Sequence, residues 1–244
     1  EIQYCDWSSD VCSSDLEEVK KVVEAYATDE DLSKAPWDVL SNSRETIDQF
    51  KTLFDIYSNR FNLSDWINFE IPRQHDKTAS NRVGDFHQNL LGRVDGWVNL
   101  GRGDPSGMDL KKEDNTIWIE LKNKYNTMNS SSLRDTRFKC EELAEKYPNA
   151  KIYWAYIVSQ NYESFDKTWV YRDNKENVVH DVNDNIRNIA GKDVYTLVTG
   201  DETAFEQLFD ALPKAINDIK KNKHLLTPKD QIIFEKYKQL IFKD

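Results

Sequence analysis

Residues 151–158 read KIYWAYIV. From position 152 on, both alternating sides of an extended chain are apolar, so a strand made here has no face to offer to water. This is the longest apolar run in the sequence, and it falls far short of the ~20 residues that a membrane-spanning helix needs. No bilayer span is predicted, and the run reads as a strand buried inside a protein core. A chain of 244 residues is ample for such a core, with one domain as the default. Its 39% hydrophobic and 12% aromatic content lies in the globular range, and 31% charged residues provide a large solvated surface.

The cover for that strand comes from helical patterns on both sides of it. Val19, Val22, Val23 and Tyr26 recur at helical spacing and predict a helix over 16–27. A second helix starts at Asn42 as N-cap, with Glu45 three residues on and Ile47, Phe50, Phe54 and Tyr57 along one face. Both are expected to face the core. Val83, Phe86, Leu90 and Val94 predict a third, with Gly92 as its stop. After the turn-rich VNLGRGDPSG come two short strands, around 108–110 and 116–122, joined by KKEDN as a hairpin.

A helix over 131–147 carries Cys140, Leu143, Ala144 and Tyr147 and stops at Pro148. KTWVYR offers a further strand, and DVYTLVTGD ends in a turn before the stripe Phe205, Leu208, Phe209, Leu212. Pro213 is expected to start a fresh helical segment. Thr227, Pro228 and Asp230 suit N-cap, N1 and N3 of a last helix. The order α, β-rich centre, α predicts an α/β fold: a mixed sheet flanked by helices. Trp66, Trp97, Trp118 and Trp154 are read as core residues.

The opening EIQYCDWSSDVCSSDL has neither the basic start nor the apolar centre of a signal peptide. Residues 1–16 resemble translated sequencing-adapter text; the alternative is a disordered native leader. Setting them aside leaves 39 acidic and 33 basic residues, so the formal charge moves from -10 to -6. It also leaves Cys140 as the one cysteine, which permits no internal disulfide and predicts a reduced, cytoplasmic protein. Residues 17–244 are taken as a single domain with a core at about 80–160.

Chemistry concentrates in IWIELKNKYNTMNSSS, residues 117–132. Alternation puts Ile117, Ile119 and Leu121 on one face of the strand, and Trp118, Glu120 and Lys122 on the other. Pairing across the hairpin brings Asp109 beside Glu120, so two carboxylates and an ammonium converge. Hard cations such as Mg²⁺ take one or two carboxylates plus water and substrate phosphate, and a cation so held stabilises charge developing on a phosphate. That is chemistry for phosphodiester hydrolysis. The spacing alone equally describes the solvated face of an antiparallel sheet.

The blocks GDFHQNLLGRVDGW, GMDL and IWIELKNKYNTMNSSS together resemble the type II restriction endonucleases of the Eco47II type, within the PD-(D/E)xK nuclease superfamily. The resemblance is strongest over 84–132 and continues more loosely over most of 40–220. It implies a restriction-endonuclease-like fold, Mg²⁺ as cofactor, and cleavage of double-stranded DNA at a short palindrome of the GGNCC or GGWCC kind. It further implies a companion cytosine methyltransferase. A palindrome is most simply read by a homodimer.

Residue by residue, the resemblance implies Asp109 as first metal-binding acid, Glu120 as second, Lys122 as catalytic lysine and the Leu121 carbonyl as a further ligand. Met108 stands where the superfamily's name has proline, and a literal Asp-Pro lies at Asp104 and Pro105, which keeps Asp104 as the alternative first acid. His87 and Gln88 are accessory candidates, with a hydrogen-bonded core histidine as the other reading of His87. Lys124, Asn126, Thr127, Asn129, Ser130, Ser131, Ser132, Arg134 and Arg137 are candidates for DNA backbone contact, and one of the serines is expected to cap the following helix. Base contacts are sought in RDNKENVVHDVNDNIRN, a composition that a mobile surface loop explains equally well, and cleft walls in the Lys-rich residues 214–223, which read equally as solubilising surface. An acidic exterior limits binding to non-target DNA while a cleft needs only local positive potential. The rival functions are a structure-selective repair or recombination nuclease and a catalytically dead DNA-binding domain.

Overall fold

The computed structural model describes residues 13–26, 47–173, 175–220 and 227–242. Asn42, Glu45 and most of the leader fall outside the described residues, as do Lys221, Lys223 and His224. The chain divides into two compact units, one formed by Glu1–Val19 with Gly84–Asp244, the other by Lys20–Val83.

The first unit is built on a six-stranded sheet in the order β1-β2-β3-β4-β8-β5. The strands are β1 (Trp97–Asn99), β2 (Leu110–Lys112), β3 (Ile117–Lys124), β4 (Lys151–Val158), β5 (Phe165–Thr168) and β8 (Ile186–Ala190), with β6 (Arg172–Asp173) and β7 (Val178–Val179) forming a separate ribbon. β4 lies between β3 and β8 and is parallel to both, whereas β1-β2, β2-β3 and β5-β8 pair antiparallel. Ile152, Tyr153, Ala155, Tyr156 and Ile157 are buried, as the two-sided apolar run of β4 requires. The fold is α/β, a mixed sheet with helices against it.

β3 crosses to β4 through α4 (Ser130–Lys146), and β8 is followed by α5 (Lys192–Thr199) and α6 (Ala204–Lys220); α4 and α5 both pack on β4 and β8. Cys140 and Leu143 of α4 join Met108, Trp118, Ile152, Trp169 and Ile186 in one apolar cluster. In-register pairing puts Trp118, Ile152 and Ile186 on one side of the sheet, so α4 covers the same face that carries Glu120 and Lys122. Trp66, Trp97 and Trp118 are buried, and Trp154 packs against this cluster.

Several expectations need correction. Pro213 lies inside α6 and starts no new segment. The apolar side continues from Leu208 to the buried Ala215, so packing on both sides of the proline sustains the helix against one lost hydrogen bond. Gly92 does follow α3 (Leu63–Leu91), but not as a left-handed stop. A Cβ there would sit 2.5 Å from the Cβ of Asn99, so glycine is needed to let β1 approach the helix end.

KTWVYR is strand only at its ends, in β5 and β6, while Trp169 turns into the core. The last helix, α7 (Pro228–Ile241), begins as expected: Thr227 and Asp230 form a reciprocal capping box. In the second unit, α2 (Gln49–Asn59) was expected to bury Phe50, Phe54 and Tyr57, and these are exposed. The helix rests instead on Ile56, which joins Ile47 and Phe61 against Trp66, Ile67 and Ile71. α1 (Ser13–Val23) buries Val19 and ends before Tyr26, which is exposed. No described helix is long and apolar enough to cross a membrane.

Candidate active site

Asp109 sits at the lip of the sheet, immediately before β2. Its N–H donates to Ile119 O, and its carbonyl accepts from Leu100 N, both at 2.9 Å. Its backbone is thus tied to β3 on one side and to the end of β1 on the other. Its carboxylate turns onto β3, where Oδ2 accepts the N–H of Leu121 at 2.8 Å. Glu120 and Lys122 project from the opposite face to Ile119 and Leu121, and Lys122 Nζ lies 2.5 Å from Glu120 Oε1 and 3.7 Å from Asp109 Oδ2. Two acids therefore share one ammonium.

The electrostatics follow from that crowding. Burial, reinforced by the neighbouring Asp109 carboxylate, pushes Glu120 up to about 7 against the pull of Lys122. For Lys122 burial opposes the charged form, but the attraction of Glu120 and Asp109 outweighs it, and the ammonium is held more firmly protonated than usual. Trp154 and Tyr156 stand opposite Glu120 and Lys122 on β4, with Asn188 next in line on β8. Tyr156 Oη donates to Asn188 Oδ1 at 3.1 Å, and Asn188 Nδ2 to Trp154 O at 2.9 Å. The sequence marks Trp154 as core and puts Asn188 in the amide-rich stretch, but only the inter-strand register brings these two and Tyr156 beside Glu120 and Lys122.

Asp104 is occupied locally. Its Oδ1 takes the N–H and hydroxyl of Ser106, and those bonds hold its carboxyl below the usual range. Met108 is buried in the α4 cluster, so an apolar side chain at this position anchors the loop into the core. Gln88 Nε2 donates to Asn99 Oδ1 at 2.9 Å and lies 3.5 Å from Asp109 O. His87 points elsewhere: Nδ1 shares a 2.6 Å hydrogen bond with the Tyr195 hydroxyl on α5, and burial depresses its basicity to about 4.

Lys124 at the end of β3, and Asn126, Thr127, Ser130 and Ser131 after it, are exposed, with the Thr127 hydroxyl donating to Lys124 O. The cap of α4 is Asn129 and not a serine: its Oδ1 accepts from Ser132 N at 2.8 Å. Arg134 is ion-paired with Asp173 at 2.6 Å and with Glu176 at 3.4 Å. Arg137 is buried and donates to Trp169 O, Asp181 O and Glu141. In the amide-rich stretch after β5, Asn185 donates to Pro148 O and Asn188 is buried in β8.

The sequence model of the Eco47II restriction endonuclease family matches residues 11–221 of this chain. The chain belongs to that family. Among its relatives, the type II restriction enzyme Sau96I of Staphylococcus aureus is 34% identical over 180 residues, covering 72% of this chain and 67% of the relative. The type II restriction enzyme Eco47II of Escherichia coli is 34% identical over 212 residues, covering 80% and 87%. As an Eco47II-family member, the chain is a type II restriction endonuclease, an enzyme that cuts DNA at specific sites. The Asp109, Glu120 and Lys122 convergence lies inside the matched span.

Proposed function

We propose that this endonuclease hydrolyses the DNA phosphodiester at the convergence of Asp109, Glu120 and Lys122, with Mg²⁺ as cofactor. The observation that carries the reading is that both carboxylates lie within ion-pairing distance of one ammonium at the sheet's lip. Their chemistry fits a hard divalent cation, which accepts carboxylate oxygens together with backbone carbonyl and water. Among the described residues no group of three or more His, Cys, Asp or Glu gathers, so the Leu121 carbonyl, water and the substrate phosphate would complete the shell. A bound cation supplies positive charge to the phosphate and a more acidic water.

Asp109 and Glu120 hold that charge in place. Lys122 contributes a fixed ammonium that orients the attacking water and faces the developing negative charge. Lys124, Asn126, Thr127, Asn129, Ser130, Ser131 and Arg134 surround the turn into α4 and position the DNA backbone, as short polar side chains and a helix N-terminus do.

The target is a short palindrome of the GGNCC or GGWCC kind, read by a homodimer with one site per strand. The enzyme works in the cytoplasm, where a companion cytosine methyltransferase protects the host's own sites. Incubating the purified protein with unmethylated phage DNA and Mg²⁺ tests the reading. Discrete fragments, abolished by chelation and restored by Mg²⁺, are expected. A smear would favour a structure-selective nuclease, and no cleavage would overturn the catalytic reading.

A further inference from the structure

A chain of polar side chains runs from α1 to the backbone of Asp109. Glu18 on α1 is buried, 4% exposed. Its Oε2 accepts from Asn89 Nδ2 at 2.7 Å, and its Oε1 accepts from the Arg93 guanidinium at 3.1 Å. Asn89 Oδ1 accepts from Asn99 Nδ2 at 2.8 Å. Asn99 Oδ1 in turn accepts from Gln88 Nε2 and from the N–H of Gly101, both at 2.9 Å. The chain ends on the acid's own carbonyl: Leu100 N donates to Asp109 O at 2.9 Å, and Gln88 Nε2 lies 3.5 Å from the same oxygen. All these residues belong to the first compact unit.

The direction of every bond follows from one end. A carboxylate can only accept, so Glu18 turns the amide nitrogen of Asn89 toward α1 and its oxygen toward β1. Asn99 must then give its nitrogen to Asn89 and its oxygen to Gln88 and Gly101. An amide flipped anywhere in the chain would set donor against donor or acceptor against acceptor. Asn99 can act as the hub because Gly92 carries no Cβ, which would meet that of Asn99 at 2.5 Å. It ends β1 and pairs in register with Leu110, so it closes the base of the loop that leads to Asp109.

We propose that Glu18, Asn89 and Asn99 are positioning residues for Asp109, a directed amide relay, anchored on α1, that holds the acid opposite Glu120 and Lys122. The proposal rests on the reading of Asp109 as a metal-binding acid. It gives α1 a part in catalysis beyond covering the core, exerted through the backbone of Asp109.

Glu18→Ala and Asn99→Ala in the full chain should each lower kcat roughly ten- to a hundredfold, the usual loss when the partners behind a metal-binding group are removed. KM for DNA should stay unchanged, and the Mg²⁺ concentration giving half the maximal rate should rise. In the metal-free proteins, amide hydrogen exchange should quicken at Leu100, Gly101 and Asp109 and not in β4. Glu18→Gln leaves an acceptor for Asn89 and should recover most of the rate. Added to Asp109→Asn, Glu18→Ala should cost little more, because its effect passes through an acid already disabled. If Glu18→Ala fails to fold, Asn99→Asp reads the same relay, since it keeps the acceptor for Gln88 and Gly101 and loses only the donor to Asn89. Relay variants with wild-type kcat and Mg²⁺ dependence, or losses that add in full to that of Asp109→Asn, would overturn the proposal. With Asp109→Asn inactive, that result removes the relay alone, whereas a fully active Asp109→Asn removes the site reading on which the relay rests.

Discussion

The N–H of Leu121 donates to the Asp109 carboxylate at 2.8 Å, so the residue between Glu120 and Lys122 fixes the acid that faces them both. Asp109 is therefore held twice, by its backbone in the sheet and by its side chain on β3. Asp109→Asn keeps an acceptor for Leu121 N and removes the charge. Its melting temperature should stay close to wild type, while cleavage of phage DNA under Mg²⁺ should fall on the order of a hundred- to a thousandfold, the cost of removing one preorganised electrostatic group from such a site. A substantial fraction of wild-type kcat in Asp109→Asn would remove Asp109 from the metal site.

His87 predicts how the fold responds to acid. Its folded value near 4 lies below its ordinary 6.5 because the ring is buried. The unfolded chain therefore takes up a proton between those two values that the folded chain refuses. Stability is unaffected by this group above about pH 6.5, declines as pH falls through the interval, and levels off below about 4, by roughly 3 kcal/mol in all. His87→Gln offers the Tyr195 hydroxyl a neutral partner that does not titrate. Denaturant unfolding at a series of pH values should find the variant's stability flatter than wild type between pH 6.5 and 4. Parallel curves would assign the acid response to other groups.

Much of the site was legible because it depends on local pattern. Alternation in β3 fixes which face carries Glu120 and Lys122, and the short KKEDN turn brings Asp109 back beside them. What depended on tertiary pairing was hidden. β8 carries Arg187 and Asn188 among its apolar residues, and reads as polar loop until β4 and β5 pair with it on both sides. The stripe on α2 has the spacing of a core-facing helix, yet faces outward, because periodicity shows that a face is apolar and not what covers it. Arg137 has the sequence look of a solvated cation, but its place in the core was set by the carbonyls it meets.

Arg137 is 1% exposed and donates to the carbonyls of Trp169 and Asp181, the two ends of the segment that contains the β6–β7 ribbon. Glu141 balances its charge at 2.8 Å. Arg137→Ala leaves the buried Trp169 carbonyl without its donor and takes one partner from Asp181 O and from Glu141, which His180 still meets, a loss on the order of 3 kcal/mol. Chemical unfolding should show that loss, and limited proteolysis should cut first between residues 169 and 181. A loss below about 1 kcal/mol, the size of an exposed contact, would mean that the ribbon is held by its aromatic packing alone.

Lys124 makes the opposite case. It ends β3, is exposed, and follows Lys122 by two positions on the same strand, so its ammonium stands beside the DNA backbone in the proposed complex. Lys124→Ala removes no buried contact and should leave stability within about 0.5 kcal/mol of wild type. If it neutralises one phosphate, DNA affinity should fall similarly for specific and random sequence, and the slope of log affinity against log salt should become shallower by about one. Fluorescence anisotropy with a labelled duplex, measured under Ca²⁺ across a salt series, reads both quantities. An unchanged slope would place Lys124 on the solvent side of the complex and shift the backbone contact to the turn residues that follow it.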